Sequence, residues 1–151
     1  MSTPNIITLR WTGSTAEGDD YPRHAVASAD GRPDVETGVG PSYGGSGADW
    51  DPEDLFGAAL STCLMFTFLA LARKVRLDVV EYADTATVTL VTEDRRTRIA
   101  RVVVSPVVTL AAGDSLDKAE TMFHKSDKYC IIANSTTAEV VLEPTFRHAA
   151  P

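Results

Sequence analysis

Two side chains in this 151-residue chain can make and break covalent bonds to oxygen or sulfur, and they are its only cysteines, Cys63 and Cys130. The thiolate form of cysteine is the nucleophile. A thiolate with a second thiol in reach can attack a peroxide, become a sulfenic acid, and condense with its neighbour to a disulfide that protects it from over-oxidation. Two cysteines are too few for a disulfide scaffold, so free or transiently paired thiols in a cytoplasmic protein are the simplest expectation. The competing reading of each is ordinary core packing, because free cysteine is among the most buried residue types.

The neighbours of Cys63 sharpen the first reading. Ala59 and Thr67 lie four residues to either side and Ala70 seven residues on, small groups that leave space beside the sulfur, while Phe56, Leu60 and Phe66 border that space. A thiol at the floor of a small apolar pocket suits an aliphatic or aromatic molecule, which gains about 25 cal/mol for each Å² it buries. Whether Cys130 reaches the same place depends on how the elements pack, which spacing alone does not show.

Those elements can be read in outline. Asp51-Pro52-Glu53-Asp54 is a helix start, with Asp51 as cap, proline at the first helical position and acids at the positive end of the dipole. The helix is expected to run to about Lys74, and its apolar residues cover nearly every face, as in a central helix covered on most sides. A second helix is capped by Asp114 or Ser115, and Leu116, Ala119, Phe123 and Cys130 fall on one stripe, so Cys130 is expected to point inward. Between the helices, Glu81 to Thr92 and Arg98 to Leu110 read as a hairpin about the charged turn 93–96, with Pro106 placing a bulge or an edge in its second strand. Ile6 to Thr12, Arg23 to Ala29 and Thr137 to Phe146 are further strand candidates. Segment 31–50, rich in Gly, Pro, Ser and Asp, is expected to be a long loop through most of its length. The order predicts a single α+β domain with segregated helices and mostly antiparallel sheet.

Composition narrows the partners. With 44% apolar and 23% charged residues the chain has enough apolar content for a real core. The excess of 21 acidic over 14 basic residues gives a net charge of −7, which argues against nucleic acid and anionic membrane surfaces. The run from Leu55 to Ala72 is broken by Gly57, Ser61, Thr62 and Thr67 and is not read as a membrane span, and residues 1–10 do not read as a secretory or organelle address. None of His24, His124 and His148 stands at close ligand spacing to a cysteine, so no metal or other cofactor is expected.

The run from Asp51 to Cys63, with its Pro52-Glu53 pair and a cysteine ten residues beyond the glutamate, resembles the helix motif of the OsmC/Ohr family. Cys130-Ile131-Ile132-Ala133-Asn134-Ser135 resembles that family's second-cysteine motif, and the likeness spans about Trp11 to Phe146. It implies a thiol-dependent peroxidase acting on organic hydroperoxides and, to a varying extent, hydrogen peroxide. Cys63 would be the peroxidatic thiol and Cys130 the resolving one. It also implies an intertwined homodimer, its sheets wrapped around central helices and its two active sites at the subunit interface, and reduction of the disulfide by a dithiol such as a lipoylated protein. A non-catalytic small-molecule-binding protein or a redox sensor of the same fold are the alternative functions.

The family activates its thiolate with an arginine held by a glutamate. Glu53 matches the glutamate by its place in the motif, although the helix dipole alone also favours an acid there. Ten residues at about 1.5 Å rise put Glu53 about 15 Å from Cys63 along a straight helix. The glutamate near a given Cys63 is therefore expected either across the dimer or from a helix kinked near Gly57. For the arginine, Arg23 in Tyr21-Pro22-Arg23-His24 is the best candidate, ahead of Arg10 and Arg32, with an ordinary surface charge as the alternative. The loop before the helix, where one branch of the family carries it, has Tyr43 among glycines instead.

Overall fold

The computed structural model describes residues 3–151 and divides into two compact units, one ending at Leu55 and one running from Phe56 to Pro151. The architecture is α+β, with two main helices and three small sheets.

The first unit is built on a three-stranded antiparallel sheet of β1 (Thr8–Arg10), β2 (His24–Ser28) and β3 (Val35–Gly38), in that order. β3 lies inside the segment expected to be loop. It is held by its pairing with β2 and by an exchange with the far end of the same segment, where Gly38 N–H donates to the Trp50 carbonyl at 3.0 Å and Trp50 N–H to that of Glu36 at 3.3 Å. Backbone partners distant in sequence thus make a strand where composition favours irregular chain. A single turn at Pro41–Tyr43 follows β3, ending at Gly44 with φ of 82°, a left-handed position that glycine occupies without strain.

Helix α1 spans Pro52–Lys74. Its start is a reciprocal cap: Asp54 N–H donates to Asp51 Oδ1 at 2.8 Å, and Asp51 N–H to Asp54 Oδ2 at 3.3 Å. Its end is a Schellman turn around Arg76, whose φ is 61°, with Leu77 N–H reaching the Ala72 carbonyl at 3.0 Å and Arg76 N–H that of Arg73 at 3.2 Å. The apolar partners Ala72 and Leu77 close that turn inside the core.

In the second unit the expected hairpin is present, bent in the middle. β4 (Val79–Ala83) and β5 (Ala86–Glu93) form its first arm, and β6 (Arg96–Val104) and β7 (Val107–Leu110) its second. β5 pairs with β6 and β4 with β7, all antiparallel. The turn is the two-residue kind, with Asp94 and Arg95 both at positive φ. Pro106, buried and unable to donate to a ladder, marks the bend of the second arm. The last expected strand is likewise two, β8 (Glu139–Leu142) and β9 (Thr145–His148), parted at Glu143-Pro144. β8 pairs parallel to β6 and β9 parallel to β7, so two of the sheets are mixed, while the strand pairing is mostly antiparallel, as expected. Ser105 N–H to the Thr85 carbonyl (3.0 Å) and Thr145 N–H to that of Pro106 (2.8 Å) carry the ladders across the bends.

The bend splits the core. Gly57, Leu60, Leu64, Phe68 and Ala72 form one buried row along α1. Leu60 and Leu64 pack with Val102, Val104 and Cys130, whereas Phe68 and Ala72 pack with Val108, Leu110, Ala119 and Phe123. Gly57 lies against β5, where a Cβ would come within 3.0 Å of Val88 Cγ2. On α1, Ser61 Oγ donates to Asp84 at the first bend (2.5 and 2.6 Å), and Tyr82 donates to the same carboxylate at 3.0 Å. Helix α2 (Leu116–Tyr129) is capped by Ser115, whose Oγ accepts from Lys118 N–H at 3.2 Å, and it closes the far core with Ala119 and Phe123.

Candidate active site

Cys130 terminates α2 and is fully buried, while Cys63, in the middle of α1, is half-buried against the same cluster of Leu60, Leu64, Val102 and Val104. Both are free thiols, and both pack in the same apolar cluster, near enough for each to shift the ionisation of the other. The sulfurs that the sequence places 67 residues apart therefore meet, and they do so because α2 ends at the core that α1 covers.

The pair is electrostatically unequal. Burial pushes the Cys63 thiol up, but donors together outweigh it and bring its pKa below the ordinary thiol value: the Cys130 S–H, the backbone N–H groups of Ile132 and Ile131, and the Thr67 hydroxyl. Cys130 is pushed up to about 11, chiefly by burial and then by its bond to Cys63, despite the Ala133 N–H that reaches its Sγ at 3.4 Å. One sulfur is held toward the anion and the other toward the protonated donor. That arrangement can perform nucleophilic attack at Cys63 with a second thiol in place.

The turn after Cys130 supplies much of this. Asn134 N–H donates to the Cys130 carbonyl at 3.0 Å, Asn134 Nδ2 to that of Lys128 at 3.0 Å, and Ser135 Oγ to that of Ile131 at 2.8 Å. Asn134 and Ser135 thus fix the turn, and with it the N–H groups of Ile131 and Ile132. Of the residues expected to border the Cys63 space, Phe56 and Leu60 do so, whereas Phe66 turns outward and is 62% exposed. There it lines a recess with Thr67, Ala70, Leu71, Lys74 and Tyr129. The lowering of the Cys63 pKa by Thr67 and by the two N–H groups is the part that sequence reading misses. Thr67 has a signal, being one helical turn from Cys63; backbone N–H groups have none.

Arg23 and Glu53 belong to the other unit, the one ending at Leu55. Arg23 is half-buried and held in place: Nη1 donates to the Asp19 carbonyl at 2.7 Å and the guanidinium lies 4.3 Å over the Tyr21 ring. It borders an apolar cavity of about 540 Å³ together with Trp11, whose Nε1 donates to the Pro22 carbonyl. Glu53 is half-buried and, among the described residues, makes no ion pair. Near Gly57 the helical hydrogen bonding of α1 is continuous, the helix running from Pro52 to Lys74. Arg10 is exposed on β1, and Arg32 reaches the Asp30 carbonyl at 3.4 Å. His24 sits between Asp49 (3.0 Å) and Glu36 (2.8 Å), His124 near Glu120, and His148 on the Asp114 carbonyl.

A fold of bent strands and two helices around a thiol pair defines a class of protein, and comparison with known families agrees. The family model described as OsmC-like protein matches residues 45–145, and the chain belongs to that family. An OsmC-like protein of unknown function from Vibrio cholerae is 30% identical, with a TM-score of 0.87 over 95% of this chain and all of that one. An organic hydroperoxide resistance protein from Elizabethkingia anophelis shares the fold at 20% identity, with a TM-score of 0.70 over 99% of this chain and all of that one. OhrB, the organic hydroperoxide resistance protein of Bacillus subtilis, does so at 18% identity, with a TM-score of 0.63 over 96% of this chain and 98% of its own. No curated protein matches the sequence.

Proposed function

We propose that this chain is a cysteine-dependent peroxidase that reduces organic hydroperoxides, with Cys63 as the attacking thiolate and Cys130 as the resolving thiol. The observation that carries the reading is the packing of two free thiols in one apolar cluster, with opposite tendencies, Cys63 toward the anion and Cys130 toward the protonated form. The Cys63 thiolate attacks one peroxide oxygen, the O–O bond breaks, and the departing alkoxide takes a proton to become the alcohol. Cys63 is then a sulfenic acid. Cys130 attacks its sulfur, the S–O bond breaks, and the hydroxyl leaves as water with the Cys130 proton, giving the disulfide. A dithiol reductant, lipoylated protein being one form, returns both thiols by exchange and is itself oxidised to a disulfide. The names of the Elizabethkingia and Bacillus relatives support the substrate class.

The working form is a cytoplasmic homodimer. Its support is the outward row of α1, Ala59, Thr62, Phe66 and Ala70, which is exposed and carries no charge. In that dimer Glu53 and Arg23 serve Cys63 across the interface, as Glu53 of the partner subunit and Arg23 of the partner subunit.

Peroxide consumption with cumene hydroperoxide and hydrogen peroxide, supplied with dithiothreitol as reductant, tests the reading. Cys63→Ser is expected to abolish turnover, and turnover retained by that variant overturns the assignment. Cys130→Ser is expected to give an initial burst and then inactivation, with Cys63 found by mass analysis as sulfinic or sulfonic acid. Thiols of the unaltered protein that stay reduced under excess peroxide would leave a binding protein of this fold.

A further inference from the structure

We propose that Asn134 is a positioning residue for the resolving thiol: it folds the chain back at the end of α2 so that the Ala133 N–H meets the Cys130 sulfur and supports it while that sulfur gives up its proton to close the disulfide.

Cys130 ends α2 in apolar surroundings. It is fully buried and packs with Leu60, Leu64, Val102 and Val104, where a sulfur losing its proton is costly to hold without a donor. The backbone supplies one, since Ala133 N–H donates to Cys130 Sγ at 3.4 Å. An N–H three residues further on reaches back to the sulfur only if the chain turns sharply, and it does so in the short turn Ala133–Ser135. Asn134 makes two bonds that hold this turn to carbonyls of the last turn of α2, where the helix itself leaves them unpaired. Its backbone N–H donates to the Cys130 carbonyl at 3.0 Å and its Nδ2 to the Lys128 carbonyl at 3.0 Å. Ser135 adds a tie from Oγ to the Ile131 carbonyl at 2.8 Å. Burial holds the Cys130 thiol toward its protonated form, and the Ala133 N–H works in the opposite direction.

The inference rests on the peroxidase reading and concerns its second step. A Cys63 sulfenic acid has two fates. Either Cys130 attacks it, the S–S bond forming as the S–O bond breaks and the hydroxyl leaving as water with the Cys130 proton, or a second peroxide oxidises it to the sulfinic acid and is itself reduced to the alcohol. The ratio of the two products does not depend on how fast the sulfenic acid formed, so it reads resolution whatever a variant does to the first attack.

The test treats reduced full-length protein, freed of reductant, with cumene hydroperoxide over a range of concentrations and measures disulfide and Cys63 sulfinic acid by mass analysis. Asn134→Ala removes the tie to Lys128 and is expected to lower the peroxide concentration that gives equal amounts of the two products about fivefold, the worth of one hydrogen bond. A lower urea midpoint with an unmoved ratio would show a merely structural role and overturns the proposal alone. Thiols of the unaltered protein that stay reduced overturn the peroxidase reading and this one with it. Should Asn134→Ala fail to fold, Ser135→Ala, which cuts the other side-chain tie of the same turn, is read by the same criterion.

Discussion

α1 and α2 each turn one row of side chains into the core of the same unit, and their outer faces could hardly differ more. α2 shows water Asp117, Lys118, Glu120, Lys125, Asp127 and Lys128, the surface expected of a helix with one side buried. α1 shows Ala59, Thr62, Phe66 and Ala70, with no charged side chain between Asp54 and Arg73. It is also long and apolar enough to pass for a membrane span, a test that the core helix of a soluble protein passes as well. The contrast teaches that a row satisfied by its own chain accounts for all of α2 and for half of α1. The inner rows of the two helices should therefore respond alike to truncation, and the outer rows differently.

The largest effect is expected on the inner row. Phe68 is fully buried and stacks edge-on against Phe123 at 5.4 Å between ring centroids, with Phe146 and Tyr82 at 6.3 Å. Phe68→Ala removes the ring that joins α1, α2 and two strands, and should cost about 3–5 kcal/mol in urea unfolding. A loss under about 1 kcal/mol would mean that α2 does not depend on α1 for its core.

Next in size is the outer row. Phe66→Glu places a charge in the middle of the uncharged stripe and breaks no contact of the core cluster. If a second copy covers this face, sedimentation should show the dimer of the unaltered chain giving way to monomer. A buried aromatic anchor at an interface is worth about 2 kcal/mol or more. Equal sedimentation of the two proteins would remove the second copy from α1 and, with it, the route by which Glu53 and Arg23 serve Cys63.

What the sequence disclosed follows the same division. The extent of α1, the inward stripe of α2 and the turn at Asp94-Arg95 were legible because caps, periodicity and turn chemistry are local. Pro106 gave notice of one bend, and Pro144 carried the same notice unread. The strand Val35–Gly38 was not legible, since its pairing with β2 and its exchange with Trp50 are long-range backbone bonds. At the site, Cys63 and Cys130 could be named from residue type and motif, and their meeting could not, because it depends on where α2 stops. The donors from Ile131 and Ile132 were invisible for a plainer reason: any residue but proline carries an N–H, so only the turn held by Asn134 and Ser135 makes those two matter.

The smallest effect concerns how each helix begins. α1 starts with two acids that cap each other's backbone N–H, whereas α2 relies on the Ser115 hydroxyl accepting from Lys118 N–H. Ser115→Ala is expected to cost about 1 kcal/mol, the usual worth of a single side-chain cap. That loss should appear as a lower unfolding midpoint and as faster amide exchange confined to the first turn of α2. The cap lies a full helix away from Cys130, and the turn that carries Ile131 and Ile132 is tied down by its own side chains. The pH profile of iodoacetamide alkylation at Cys63, read by mass analysis, should consequently stay where it is. A profile displaced by Ser115→Ala would show that α2 transmits strain from its start to its end, and the thiol environment would then be a property of the whole helix rather than of the turn that closes it.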